Sequence, residues 1–226
     1  MSAPLPTAEF AGLPTAALSD AMDRLALPAA CQGVRPLAPG QRLLGRAFTV
    51  RYVATGRPPG TVGDFVDDVP PGDVVVIDNG GREDCTVWGD ILTAVASQRG
   101  IAGTVIDGVC RDVHRARDIG YPVYSRGWFM RTGKDRVTVS DVGTPVSVAG
   151  IRVRAGDLLV GDDDGVVVVP VEVEQEVLAI AREIEDREGA ILAAALAGSS
   201  LRDARAAQGY HQLQRAGRPH PDEEER

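Results

Sequence analysis

Residues 74–125 read VVVIDNGGREDCTVWGDILTAVASQRGIAGTVIDGVCRDVHRARDIGYPVYS. A continuous apolar run at 74–78 is bounded by turn residues, as in a strand buried on both faces. Residues 90–100 follow as a helix, with acidic Asp90 at its start and Gly100 at its stop. A second buried strand is predicted at 103–107, a short helix at 111–119 ended by Gly120, and a third strand at 121–125. Strand, helix, strand, helix, strand is the signature of a parallel sheet with crossover helices.

The flanks speak a different grammar. Upstream, a helix is predicted after Thr15, a candidate N-cap, with Ala17, Leu18, Ala21, Met22 and Leu25 at helical spacing and Pro28 as its stop. Residues 46–54 alternate as a strand. From about residue 134, short strands separated by Gly or Asp turns predict antiparallel pairing. Within them, GDDDG at 161–165 lacks the calcium-loop pattern and reads as a tight turn. A long helix is predicted over 171–196. The expected architecture is one α/β domain over residues 13–209 with mixed parallel and antiparallel sheet and terminal helices. Residues 1–12 read as an extension and 210–226 as a disordered, charged tail.

The chain has 226 residues, 44% hydrophobic and 25% charged, with a net charge of −8. That balance argues against a general nucleic-acid binder, which needs a basic face, and against an anionic membrane surface. It does not exclude small anionic substrates, because one arginine can override the global field locally. The three cysteines, Cys31, Cys85 and Cys110, have no zinc spacing. They suit a reducing compartment, and without a signal-like start or an apolar span the cytoplasm is the expected address. Cys110 reads as a core residue, and Cys85, in the glycine loop, as exposed.

Two strand-to-helix junctions carry the chemistry-bearing residues: 78–90 and 107–112. In α/β sheets, ligands sit beyond the carboxyl ends of strands, at helix N-termini. Arg111 offers a planar fork for a carboxylate or a developing enolate oxygen. Asp112 can hold a hard divalent cation or orient a water. Gly89 precedes the helix, and the free N–H groups of Ile91 and Leu92 can point at a bound carboxylate. Asp90 can hold a metal-bound water. The plainer readings stand beside these: an acid at a helix start is usually a cap, and an Arg-Asp pair is usually surface. No nucleophile elbow, phosphate loop or dinucleotide fingerprint occurs.

The stretch GDILTAVASQRGIAGTVIDGVCRD resembles the RraA-like family, which includes the regulator of ribonuclease E activity A and class II 4-hydroxy-4-methyl-2-oxoglutarate aldolases. Asp90 and Arg111-Asp112 have the spacing of the aldolase branch, with residues 91–110 between them. The resemblance covers roughly residues 13–203. It implies a β/β/α fold in homotrimers or hexamers with sites between subunits. It implies magnesium or manganese on Asp112, Arg111 on the substrate keto oxygen, the Ile91 and Leu92 amides on the pyruvyl carboxylate, and Asp90 on a metal-ligated water. An acid from a neighbouring subunit completes the shell. Glu188 is the candidate and Glu185 the alternative. The motif departs at Arg115, where an acid is usual.

The implied activity is a metal-dependent lyase acting on 4-hydroxy-2-oxo diacids, with oxaloacetate decarboxylation through the same enolate. The alternative is a non-catalytic modulator of an RNA-processing enzyme. The sole lysine, Lys134, lies outside the motif, and no Schiff base is required. The loop 126–131, with two aromatics and two arginines, is expected at an interface or lining a pocket.

Overall fold

The computed structural model describes residues 6–57 and 63–210. The expected tail thus lies outside the described residues, except at its first position. Among the described residues the α-helices are α1 Thr15–Arg24, α2 Asp90–Gln98, α3 Val113–Ile119, α4 Glu174–Leu196 and α5 Leu201–Ala207. The strands are β1 Arg35–Pro36, β2 Leu43–Ala54, β3 Val74–Thr86, β4 Gly103–Cys110, β5 Val123–Trp128, β6 Val137–Val142, β7 Val146–Val148, β8 Ile151–Val153, β9 Leu158–Asp162 and β10 Gly165–Val169.

The main sheet runs β1-β5-β4-β3-β2-β9-β10, with β6 also on β2. The strands β2, β3, β4 and β5 pair in parallel, and β1, β6, β9 and β10 pair antiparallel. The mixed sheet expected from the sequence is therefore present. Its long strand β2 serves two neighbours on one side, β9 along its first residues and β6 along its last.

Strand alternation sorts the core into layers. Val75, Ile77, Ile106 and Val123 face α2 and α3, meeting Ala96 and Ala116. Val74, Val76, Val105 and Tyr124 face the β7–β8 hairpin, meeting Val146, Val148 and Val153. A third cluster packs α1 and α4 on β9 and β10 through Leu18, Met22, Val177, Ile184, Leu158 and Val169. Phe10, ahead of α1, is buried there too. The layering is β/β/α, with the helix layer on the side that carries the α2 and α3 starts.

Several boundaries move for identifiable reasons. Thr15 is the first residue of α1 rather than its cap. The acceptor is Asp162, far along the chain, which takes the Thr15 N–H at 2.8 Å and its hydroxyl at 2.6 Å. The GDDDG turn is thus a structural clasp, as Asp163 also accepts from Gly40 N at 2.7 Å. Strand β3 runs on past Asp78 to Thr86 through two register shifts. Gly80 and Gly81, at φ 63° and 69°, let that segment leave the ladder and return. Cys85, expected to be exposed, is buried in this excursion at 0% accessibility. Helix α3 starts at Val113 because Asp112 sits in the left-handed region at φ 55°.

Candidate active site

The two predicted junctions converge. Strand β4 ends at Cys110, and the Arg111 N–H donates to the Trp88 carbonyl at 2.9 Å. That bond lashes the β4–α3 corner to the residues just ahead of α2. Arg111 Nε lies 3.2 Å from Asp112 Oδ2. The same oxygen accepts a long 3.5 Å contact from the Asp90 N–H. Asp112 thus bridges the two loops from a left-handed backbone, a conformation that costs a non-glycine residue about 1–2 kcal/mol. Such outliers cluster at functional sites.

Gly89 packs tightly against the Arg111–Asp112 pair. A Cβ at this position would lie 2.9 Å from Asp112 Oδ2 and 3.2 Å from Arg111 Nε. Its backbone is extended at φ −152°, so the constraint is contact and not conformation. The helix start is then fixed from below. Trp88, buried and stacked on Tyr121 with centroids 6.4 Å apart, donates Nε1–H to Thr93 Oγ1 at 2.9 Å. The Thr93 hydroxyl in turn donates to the Gly89 carbonyl at 2.8 Å. Leaving a buried indole N–H unpaired costs roughly 1–3 kcal/mol, so this chain of bonds holds the α2 entry firmly.

The helix-start amides are not equivalent. The Ile91 N–H is taken by Asp90 Oδ1 at 2.8 Å. The Leu92 N–H has no protein partner among the described residues. The sequence reading offered both amides to a substrate carboxylate; the geometry leaves the Leu92 amide open and engages the Ile91 amide through a local cap. Asp90 Oδ2 stays available to water.

A cleft of about 570 Å³ opens on this arrangement, lined by Gly89, Asp90, Ile91, Leu92 and Arg111 from the motif. Asp64, Asp67, Thr132 and Lys134 also line it. Asp67 is paired with Arg99 at 3.7 Å. Sequence reasoning missed Lys134, placing it outside the motif. The signal was Gly133, whose Cβ would collide with the Thr86 carbonyl, so the Thr132–Lys134 turn presses on the strand leading into the site. The 126–131 loop does not line this cleft. Trp128 is exposed beneath Arg117, 5.3 Å from the guanidinium carbon, and Arg126 bonds Asp107.

The donor set suits a hard cation. Asp112 uses Oδ2 internally, and Oδ1 has no protein partner among the described residues. Magnesium and manganese accept one or two carboxylates and keep several waters. Among the described residues, no three His, Cys, Asp or Glu side chains converge as a complete metal shell. Glu188 lies on α4, which packs against α1. There, burial raises its carboxyl above the usual range, assisted by Asp20 and Glu185.

Asp78, Asp107 and Cys110 have structural roles. Asp78 accepts from Ser147 N at 3.1 Å and Asp107 from Ala149 N at 3.1 Å, docking the β7–β8 hairpin. Cys110 is buried, and burial pushes its thiol up to about 11, which agrees with its reading as a core residue. His114 and Arg115 are exposed on α3.

Fold and site together define a member of a known class: the chain belongs to the RraA-like, Aldolase/RraA family, whose model matches residues 15–168. A protein named "Putative 4-hydroxy-4-methyl-2-oxoglutarate aldolase" from Halalkalibacterium halodurans is 36% identical over 77% of this chain and 81% of its own length. Protein DlpA of Legionella pneumophila is 38% identical over 88% of this chain, which spans only 33% of DlpA. The crystal structure of an uncharacterized protein from Pseudomonas syringae pv. tomato superposes with a TM-score of 0.84 at 42% identity, covering 90% of this chain and 100% of that one. No helix among the described residues is long and apolar enough to cross a membrane.

Proposed function

We propose that this chain is a divalent-metal-dependent lyase that cleaves 4-hydroxy-2-oxo diacids to pyruvate through an enolate and decarboxylates oxaloacetate through the same enolate. The observation that carries the reading is the convergence of Arg111 and Asp112 on the α2 start, packed so closely that a Cβ at Gly89 would displace the pair. The names of relatives such as the Halalkalibacterium halodurans protein support the substrate class.

Asp112 would hold magnesium or manganese, Asp90 would lie one water further out, and Glu188 of a second copy would complete the shell. Bound there, the cation supplies Lewis-acid polarisation of the 2-oxo acid. The Leu92 N–H receives the substrate's 1-carboxylate at the positive end of α2. Arg111 donates to the keto oxygen. Asp90 Oδ2 orients the water that takes the 4-hydroxyl proton. The electrons of the former O–H bond form a carbonyl at C4, which leaves as a second 2-oxo acid. As the C3–C4 bond breaks, its electron pair moves into the pyruvate enolate, and negative charge grows on the oxygen that Arg111 faces. A donor aimed at developing charge stabilises the transition state more than the ground state. Protonation at C3 then releases pyruvate. In oxaloacetate the bond broken leads to carbon dioxide, and the enolate is the same.

The test is pyruvate release from 4-hydroxy-4-methyl-2-oxoglutarate and from oxaloacetate, with wild type, Arg111→Lys and Arg111→Ala. Removing a donor of this kind costs about 10²–10³ in kcat. Arg111→Lys is expected to retain part of that, since it keeps the charge without the fork. Wild type inactive on both substrates in magnesium and in manganese would overturn the reading. Capture of an RNA-processing enzyme by that inactive protein would favour the binding alternative.

A further inference from the structure

We propose that Lys134 is the specificity residue of this cleft, its ammonium taking the distal carboxylate of a diacid substrate. The proposal rests on the lyase reading of the site. Lys134 is the only lysine in the chain and lines the same cleft as Arg111 and the α2 start. Its ammonium has no ion pair among the described residues, whereas Arg111 sets its Nε against Asp112 and is assigned to the keto oxygen. A 2-oxo diacid brings two carboxylates. The Leu92 amide and Arg111 serve the 2-oxo end, and the second carboxylate needs a separate cation.

The lysine is also held in position. The Thr86 N–H donates to the Arg131 carbonyl at 3.0 Å, and the Thr86 hydroxyl donates to it at 3.2 Å. Gly133 then packs on the Thr86 carbonyl, and the Lys134 N–H closes on Thr132 Oγ1 at 3.2 Å. The base of the lysine is therefore tied to the strand that runs directly into Gly89. The other cations of this segment are engaged elsewhere. Arg131 lies over the Phe129 ring at 5.8 Å, and Arg136 donates to the Thr132 carbonyl at 3.1 Å. A lysine acts as a flexible point charge, which suits a distal carboxylate whose distance varies among diacids.

The experiment is calorimetric binding, in magnesium, of two non-cleaved probes: 2-oxoglutarate, which carries the distal carboxylate, and 2-oxopentanoate, which ends in a methyl group. Wild type, Lys134→Met and Lys134→Arg are compared. Wild type is expected to bind the diacid roughly tenfold to a hundredfold more tightly, the worth of one charge-assisted hydrogen bond. Lys134→Met should bring the two affinities together, and Lys134→Arg should keep most of the preference. A wild type without the preference, a preference that survives in Lys134→Met, or an equal loss for both probes would overturn the proposal. Turnover measured on the same proteins separates the two claims. A Lys134-dependent preference without pyruvate release sinks the lyase reading alone, and pyruvate release with a Lys134-independent preference sinks this one alone.

Discussion

Gly89→Ala isolates the packing of the site from its chemistry. The new Cβ would lie 2.9 Å from Asp112 Oδ2, 3.2 Å from Arg111 Nε and 3.4 Å from Arg111 Cγ. Ordinary contacts to carbon lie near 3.5–4.0 Å, so the Arg111–Asp112 pair must retreat by about 0.5–1 Å. The backbone at φ −152° accepts alanine without strain. The entropic gain from removing a glycine, about 0.4–1 kcal/mol, roughly offsets the loss of a better N-cap residue. Stability should therefore change by less than about 1 kcal/mol, a Tm shift of no more than about 2–4 °C for a chain of this size. A misplacement near 1 Å at the reacting centre can cost about 10²-fold, so kcat for pyruvate release should fall by roughly tenfold to a hundredfold. Coupled pyruvate detection and thermal unfolding on the same preparation give both numbers. Full activity in Gly89→Ala would refute the argument, and so would a loss of activity matched by a large fall in Tm.

Three further outcomes are expected. Thr93→Val removes both the acceptor of the Trp88 N–H and the donor to the Gly89 carbonyl. It should cost about 1–3 kcal/mol in denaturant unfolding, with Thr93→Ser restoring most of it. At Asp162, burial opposes ionisation, but the bonds from Thr15 together with the Asp164 N–H and the charge of Arg42 outweigh it and hold the carboxyl below its usual range. A depressed carboxyl contributes stability that is present above its unfolded value near 3.9 and is lost as pH falls through the folded value. Wild type should accordingly lose stability below about pH 4 more steeply than Asp162→Asn, as followed by Tm against pH. Finally, Cys31 and Cys110 are buried, with thiols pushed up by burial to about 12 and about 11. The native protein should resist thiol labelling at pH 8, and all three cysteines should react once it is unfolded.

The parallel core was legible because residues 74–78 and 103–107 are apolar runs with a helical period between them, and both strands sit where that pattern put them. The site was half legible. Asp90, Arg111 and Asp112 occupy strand-to-helix junctions, and parallel neighbours bring such junctions to one edge of the sheet. What escaped depends on contacts distant in sequence. The acceptor for Thr15 is 147 positions away, and no local pattern announces it. The 79–85 excursion hides Cys85 because two left-handed glycines fold a polar segment back over it. Lys134 reaches the cleft through a turn pinned on Thr86, a relation carried by one close backbone approach at Gly133. The engagement of the Ile91 amide turns on a side-chain rotamer of Asp90, which sequence does not encode.

The central claim, a metal-dependent lyase organised on Asp112, is met most directly by one titration. Pyruvate release from 4-hydroxy-4-methyl-2-oxoglutarate is followed as magnesium is added back to chelator-treated wild type and Asp112→Ala. The account predicts a rate that vanishes with the chelator, returns with magnesium in wild type, and stays absent in Asp112→Ala at every magnesium concentration. A rate in wild type that ignores the chelator, or one in Asp112→Ala equal to wild type, would contradict it.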